Sequence, residues 1–129
     1  MTSATTSKIY AIHHVNYPTT DKERALDWYS KVFGMVQDDV SKYSKTPILL
    51  MHGGQWDIHL TPVKEMPKMP FHLAIEVTDW DWFMDHLKEV GVEASHIVER
   101  PQNNSKSCRI YDPDGTRIEI TYHGDWHTN

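Results

Sequence analysis

Apolar residues recur at every second position in three short stretches, the pattern of strands with one buried face. Phe71, Leu73, Ile75 and Val77 form one such set, which predicts a face packed against a helix. Ile58 and Leu60 form a second, and Ile118, Ile120 and Tyr122 a third. Elsewhere the period changes to that of a helix. Ala25, Leu26, Trp28, Tyr29, Val32 and Phe33 line one helical face, and Trp82, Phe83, Leu87 and Val90 line another. Thr20 and Glu23 have capping-box spacing at the first helix start, and Thr78 or Asp79 can cap the second. Gly34 and Gly91 stand where a helix would close through a left-handed residue.

These elements repeat. HHVNYPTTD (13–21) aligns with FHLAIEVTD (71–79), and IHLT (58–61) with IEIT (118–121). The spacing is 58 residues from His14 to His72 and 60 from His59 to Glu119. Each half reads strand–helix–strand–strand–strand. Strands are expected at about 9–17, 36–40, 47–52 and 56–61, then at 71–77, 93–98, 107–111 and 117–123. Asn103-Asn104-Ser105 and Asp112-Pro113-Asp114-Gly115 supply turns between the later ones. The expectation is a single α+β domain over 1–129 made of two βαβββ units, at about 9–61 and 71–123. Residues 1–8 and 124–129 are expected to be flexible tails.

Alternation also assigns the opposite faces. His72, Ala74 and Glu76 point away from the apolar set of their strand, as do Arg117, Glu119 and Thr121, and Asp57, His59 and Thr61. The repeat selects His14 over His13, because His14 aligns with His72 and shares a face with Asn16. Histidines and a carboxylate on the polar faces of two related sheets suggest a lined cleft.

Composition narrows the classes. Nine His and five Trp are unusual in 129 residues, but a net charge of −5 with interleaved signs argues against a nucleic-acid surface. No apolar run is long enough to span a bilayer, and no secretory leader is recognisable. The single cysteine, Cys108, excludes an internal disulfide and fits a reducing, cytoplasmic setting. Cys108 is expected to be a buried small hydrophobe rather than a nucleophile. His13 is expected to be a packed or satisfied histidine rather than a ligand, and His52, His86, His96, His123 and His127 to lie at the surface or loop ends. Trp28, Tyr29 and Phe33 are expected in the core; Trp80 and Trp82 are expected to be packed too, with exposure at the helix start and a dimer contact as the alternative. Trp56 is a candidate cleft-lining residue.

The stretches HHVNYPTTDKERALDWYSKVFGM (13–35), FHLAIEVTDWDWFMDHLKEVGV (71–92) and YDPDGTRIEI (111–120) together resemble the vicinal oxygen chelate superfamily. That superfamily includes glyoxalases, extradiol dioxygenases, fosfomycin-modifying enzymes and bleomycin-binding proteins. The resemblance implies mixed or antiparallel sheets curled around a divalent metal, with His14, His72 and Glu119 as ligands. Iron, nickel, zinc, manganese or cobalt would each suit such donors. His59 falls where glyoxalase I carries a further ligand, so it is either a fourth ligand or a general base; with Glu119 it is a candidate catalytic residue. The implied activity is on a small molecule bound through two adjacent oxygens, with glyoxalase-like isomerase or lyase chemistry placed first. An Fe(II) ring-cleaving dioxygenase is the second reading. Against it, Arg109 stands where those enzymes carry a tyrosine. A non-enzymatic drug- or metabolite-binding protein is the third. A homodimer is implied, with the site formed within one chain or across two.

Overall fold

The computed structural model describes residues 7–38 and 46–127. The elements run β1 (His14–Thr19), α1 (Lys22–Phe33), β2 (Val36–Gln37), β3 (Leu49–His52) and β4 (Asp57–Pro62) in the first unit. The second unit repeats them as β5 (Leu73–Glu76), α2 (Trp80–Glu89), β6 (Val98–Arg100), β7 (Ser105–Tyr111) and β8 (Arg117–His123). The fold is α+β, βαβββ twice. The second expected strand, 36–40, is described only as far as Asp38; residues 39 and 40 lie outside the described residues.

Each unit forms one mixed four-stranded sheet, in the orders β1-β4-β3-β2 and β5-β8-β7-β6. The first strand of each unit pairs in parallel with the last, and the other pairings are antiparallel. The repeat extends to register. Asn16 stands opposite His59, and Ala74, 58 residues on from Asn16, stands opposite Glu119, 60 on from His59.

Several element limits differ from the expectation, for readable reasons. β1 begins at His14 rather than near residue 9, because its partner β4 begins at Asp57, opposite His14. Before Asp57 the chain turns, with the Gly53 N–H donating to the Trp56 carbonyl at 2.9 Å. Ile9, Tyr10 and Ile12 are left exposed, with no strand beside them among the described residues. β6 occupies 98–100 rather than 93–98. The Ser95 hydroxyl takes the Arg109 N–H at 2.8 Å, a side-chain bond where a ladder would need a carbonyl. The N-cap of α1 is Asp21, whose carboxylate accepts from the Arg24 N–H at 3.0 Å. Thr20, the expected cap, is drawn instead to Asp114. Asp79 caps α2. Gly34 closes α1 at φ +67, in the left-handed region, as its position implied. Residues Gly124–Trp126, expected as part of a tail, form a 3-10 turn.

The apolar faces of both sheets meet the two helices in one cluster. Ile58, Leu60 and Met51 from the first sheet, Ile110, Ile118 and Ile120 from the second, and Tyr29, Val32 and Leu87 from the helices are essentially inaccessible. Side chains of this size each contribute about 1.5–3 kcal/mol on burial. Phe33 stacks on Phe83 with centroids 6.2 Å apart, joining α1 to α2. The His86 ring meets the α1 carbonyls of Lys31 and Val32 at 2.8 and 3.1 Å. The face predicted for 71–77 is covered only at its end. Val77 is buried, Leu73 and Ile75 are half-buried, and Phe71 is 61% exposed. The reason is that Phe71 precedes the paired strand and reaches the Tyr17 ring rather than α2.

The turn before β8 ties the units together. Asp112 accepts from the Asp114 and Thr116 N–H groups, both at 2.9 Å, and Gly115 takes φ +85 to complete the reversal. The buried Tyr29 hydroxyl of α1 donates to Asp112 at 2.8 Å. Burial, chiefly, raises the pKa of both groups. Asp114 reaches across to accept from Thr19 Oγ1 (2.6 Å), Thr20 Oγ1 (2.5 Å), Thr20 N–H (3.1 Å) and Arg24 Nη2 (2.8 Å).

Candidate metal centre

Parallel pairing of β1 with β4 and of β5 with β8 places the candidate residues as two pairs, one per sheet. In the second unit Glu119 lies across from Ala74, one diagonal step from His72, which stands just before β5. His72 Nε2 and Glu119 Oε1 are 3.0 Å apart. Two ligands about 2.1 Å from one ion and roughly at right angles to each other would have much the same separation.

In the first unit His59 lies across from Asn16, so His14 is its diagonal neighbour by the same rule. Their rings are stacked, with centroids 3.9 Å apart and planes 19° from parallel. His14 Nδ1 is 2.9 Å from His13 Nδ1, which leaves Nε2 of His14 free of that contact. A ligand histidine is commonly oriented through its second nitrogen in this way. His13 is exposed and not packed, but its ring is satisfied by this contact with His14, which is the second of the two expectations for it. Asp57 follows, 4.0 Å from His13 Nε2 and 2.5 Å from His52 Nδ1. His52 closes the end of β3 and is exposed as expected, yet it is part of this chain of contacts. Sequence alternation placed Asp57 on the His59 face; only the register of β3 against β4 reveals His52 opposite it. Burial, then the neighbouring His14, lower the pKa of His59 and favour its neutral, proton-accepting form.

The two pairs do not merge within the chain. Among the described residues, no three His, Cys, Asp or Glu side chains converge closely enough to hold one ion. Of the two arrangements expected, a site within one chain or one across two, the single chain presents two half-sets on two sheets. Trp56 is half-buried and lines a cavity of about 300 Å³ with Ile12, His13, His14, Leu73 and Ile75, between the edges of β1 and β5. Of the remaining aromatic expectations, Trp80 is buried, while Trp82 is 60% exposed and stacks on His86. Cys108 is buried, and its burial pushes the thiol up to about 11.

A second histidine–carboxylate cluster lies further along the Glu119 face. Glu76 accepts from the His123 N–H at 2.7 Å and from Thr121 Oγ1 at 2.9 Å. Its oxygens also meet His123 Nδ1 at 2.7 Å and His127 Nε2 at 2.8 Å. Burial acts to raise the Glu76 carboxyl, but these hydrogen bonds outweigh it and hold the group below its ordinary range.

Comparison with known proteins agrees with this architecture. The chain is 24% identical over 122 residues to the metallothiol transferase FosB of Lysinibacillus sphaericus (strain C3-41), covering 87% of this chain and 82% of that one. Lactoylglutathione lyase from Agrobacterium tumefaciens has a similar structure: TM-score 0.73 at 18% identity, covering 95% of this chain and all of that one. The fosfomycin resistance protein FosX from Listeria monocytogenes superposes with a TM-score of 0.71 at 18% identity, over 88% and 93% of the two chains. At those identities the structural matches speak for the fold alone. No helix among the described residues is long and apolar enough to cross a membrane. Residues 11–120 match the family model, and the chain belongs to the Glyoxalase/Bleomycin resistance protein/Dioxygenase superfamily.

Proposed function

We propose that this protein is a divalent-metal enzyme acting on a small molecule through two adjacent oxygens, with His14, His72 and Glu119 as ligands. The observation that carries the reading is the 3.0 Å approach of His72 Nε2 to Glu119 Oε1 on a polar sheet face. Two imidazoles and a carboxylate suit Fe, Ni, Zn, Mn or Co. When bound, such an ion supplies Lewis acidity for charge developing on substrate oxygen.

The chain's own residues do the rest. His13 fixes the His14 ring, and His59, held neutral beside it, takes a proton from the substrate carbon or hydroxyl. The half-sets are completed by a second copy. β1 and β5 are each hydrogen-bonded on one side only, and each has exposed apolar residues just before it, Ile12 and Phe71. Glyoxalase-like isomerisation or lyase chemistry is placed first. Thiol transfer is the alternative supported by the likeness to a metallothiol transferase. A ring-cleaving dioxygenase is disfavoured by Arg109, which lies opposite Glu119 in place of a tyrosine. The non-enzymatic binding reading is weakened by the retained ligand set.

Calorimetric titration with Zn, Mn and anaerobic Fe(II) tests this. Wild type should bind one ion per chain, and H14A, H72A and E119Q should each lose it. Mixing unfolded H14A and E119Q chains and refolding them should restore about a quarter of the sites, because half the dimers are mixed and each has one intact centre. Wild-type protein that takes up none of the three metals would overturn the reading.

A further inference from the structure

The chain has four arginines. Arg24 is committed to Asp114. The other three all lie on the Glu119 face of the second sheet. Arg117 precedes Glu119 by two residues on β8, so their side chains share a side. Arg109 on β7 is the direct cross-strand partner of Glu119, and Tyr111 is that of Arg117. Arg100 on β6 reaches the same face, its Nη1 donating to Ser107 Oγ at 3.2 Å, and Ser107 precedes Arg109 by two.

Strand geometry thus offers Glu119 a guanidinium directly opposite, at a Cβ separation of about 5 Å. Glu119 turns to His72 instead. Among the described residues, none of Arg100, Arg109 or Arg117 forms an ion pair with a carboxylate, although the chain carries 18 acids against 13 bases. Arg109 and Arg117 stand on a cross-strand diagonal, about 7–8 Å apart at Cβ and within reach of one shared group for side chains of this length. Arg117 and Tyr111 also open, with His72, onto a cavity of about 510 Å³ closed at one end by the turn before β8.

We propose that Arg109 and Arg117 bind an oxyanion of the substrate, so that the substrate class is an anionic small molecule carrying a phosphonate, phosphate or carboxylate. Two guanidinium forks need several acceptor oxygens arranged in pairs, which these groups supply and neutral diols or aldehydes do not. Tyr111 adds a hydroxyl donor at the rim. The proposal rests on the metal reading above only for what lies beside the anion; the anion site itself is built from residues outside the ligand set.

Titration of the full-length protein with inorganic phosphate, methylphosphonate and acetate, with and without bound Zn, tests it. At least one of the three should bind, and phosphate-type against acetate binding assigns the anion as tetrahedral or planar. R109Q and R117Q should each weaken it about tenfold or more, the loss expected for one charged hydrogen-bonding partner. K88Q, which removes the same charge from exposed α2, should leave it unchanged. Zn affinity should survive in R109Q and R117Q, and unliganded melting should show both variants folded. Equal affinity in the R109Q/R117Q double variant and wild type would overturn the inference, as would an equal loss in K88Q. A wild type that binds Zn but none of the anions sinks this inference alone. One that binds anions but no metal sinks the metal centre and leaves the arginine site standing.

Discussion

Replacing Asp114 by alanine removes the acceptor of four hydrogen bonds that cross from one unit to the other, and its cost can be worked from the surroundings. The Asp114 side chain is only 2% exposed. The donors are unequal. Arg24, with its side chain 46% exposed, and the exposed Thr20 recover water when the carboxylate is gone. Thr19 is fully buried, and its hydroxyl falls back on the Asp21 carbonyl at 3.2 Å, a weaker partner than Asp114 at 2.6 Å. Counting each charged bond in full would therefore overstate the loss; about 2–4 kcal/mol is expected. For a chain of this size that is a fall in Tm of about 8–15 °C. Burial acts to raise the Asp114 pKa, but the Thr19, Thr20 and Arg24 donors outweigh it, so the net shift is downward. A carboxyl with a lowered folded pKa contributes fully above its ordinary value of 3.8 and loses that contribution as pH falls through the folded value. Urea unfolding of wild type and D114A at neutral and acid pH measures both parts. The gap should be widest near pH 7 and shrink toward acid. A gap below about 1 kcal/mol at pH 7, or one that does not narrow on acidification, refutes the reasoning.

Two further outcomes follow from buried groups. E76Q should release the Gly124–His127 turn, read as faster amide exchange there with little change in overall melting; wild type should show the same release only as pH falls below the ordinary glutamate value of 4.5 and through the lower folded value. Unchanged protection in E76Q would show that the clamp is not what orders the turn. Cys108, buried and with its thiol pushed up to about 11, should resist alkylation at pH 8 until the protein unfolds, and rapid stoichiometric labelling of native protein would contradict that placement.

Much of the architecture was legible because strand alternation and the duplicated pattern constrain each other. The histidine at 14 rather than 13 followed from the repeat, and the register of Asn16 with His59 and Ala74 with Glu119 bears out the alignment behind that choice. Element limits were less legible, since a strand ends where its neighbour ends. Ile9 to Ile12 read as strand from composition but have no partner beside them. The polar networks were the least legible. Asp114 drawing Thr20 away from the helix cap, and Glu76 gathering His123 and His127, depend on contacts between residues 94 and 51 positions apart. No local pattern encodes these. The arginines beside Glu119 were visible singly, but their common side depends on how β7 pairs with β8.

The edges of β1 and β5, unpaired although they flank one cavity, carry a consequence for how copies add to one another. A bare edge is a template for further strands, and β1 and β5, with the short β2 and β6, are the edge strands of the two sheets. Two copies related by a two-fold axis can satisfy the β1 and β5 edges of both chains at once and stop. Copies joined head to tail leave one edge free at either end and, unless the rotation closes them into a ring, keep growing into a fibre. Symmetry of assembly therefore decides between a finite particle and a polymer, and a substitution that spoils the two-fold fit while leaving the edges intact would tip this fold toward filaments.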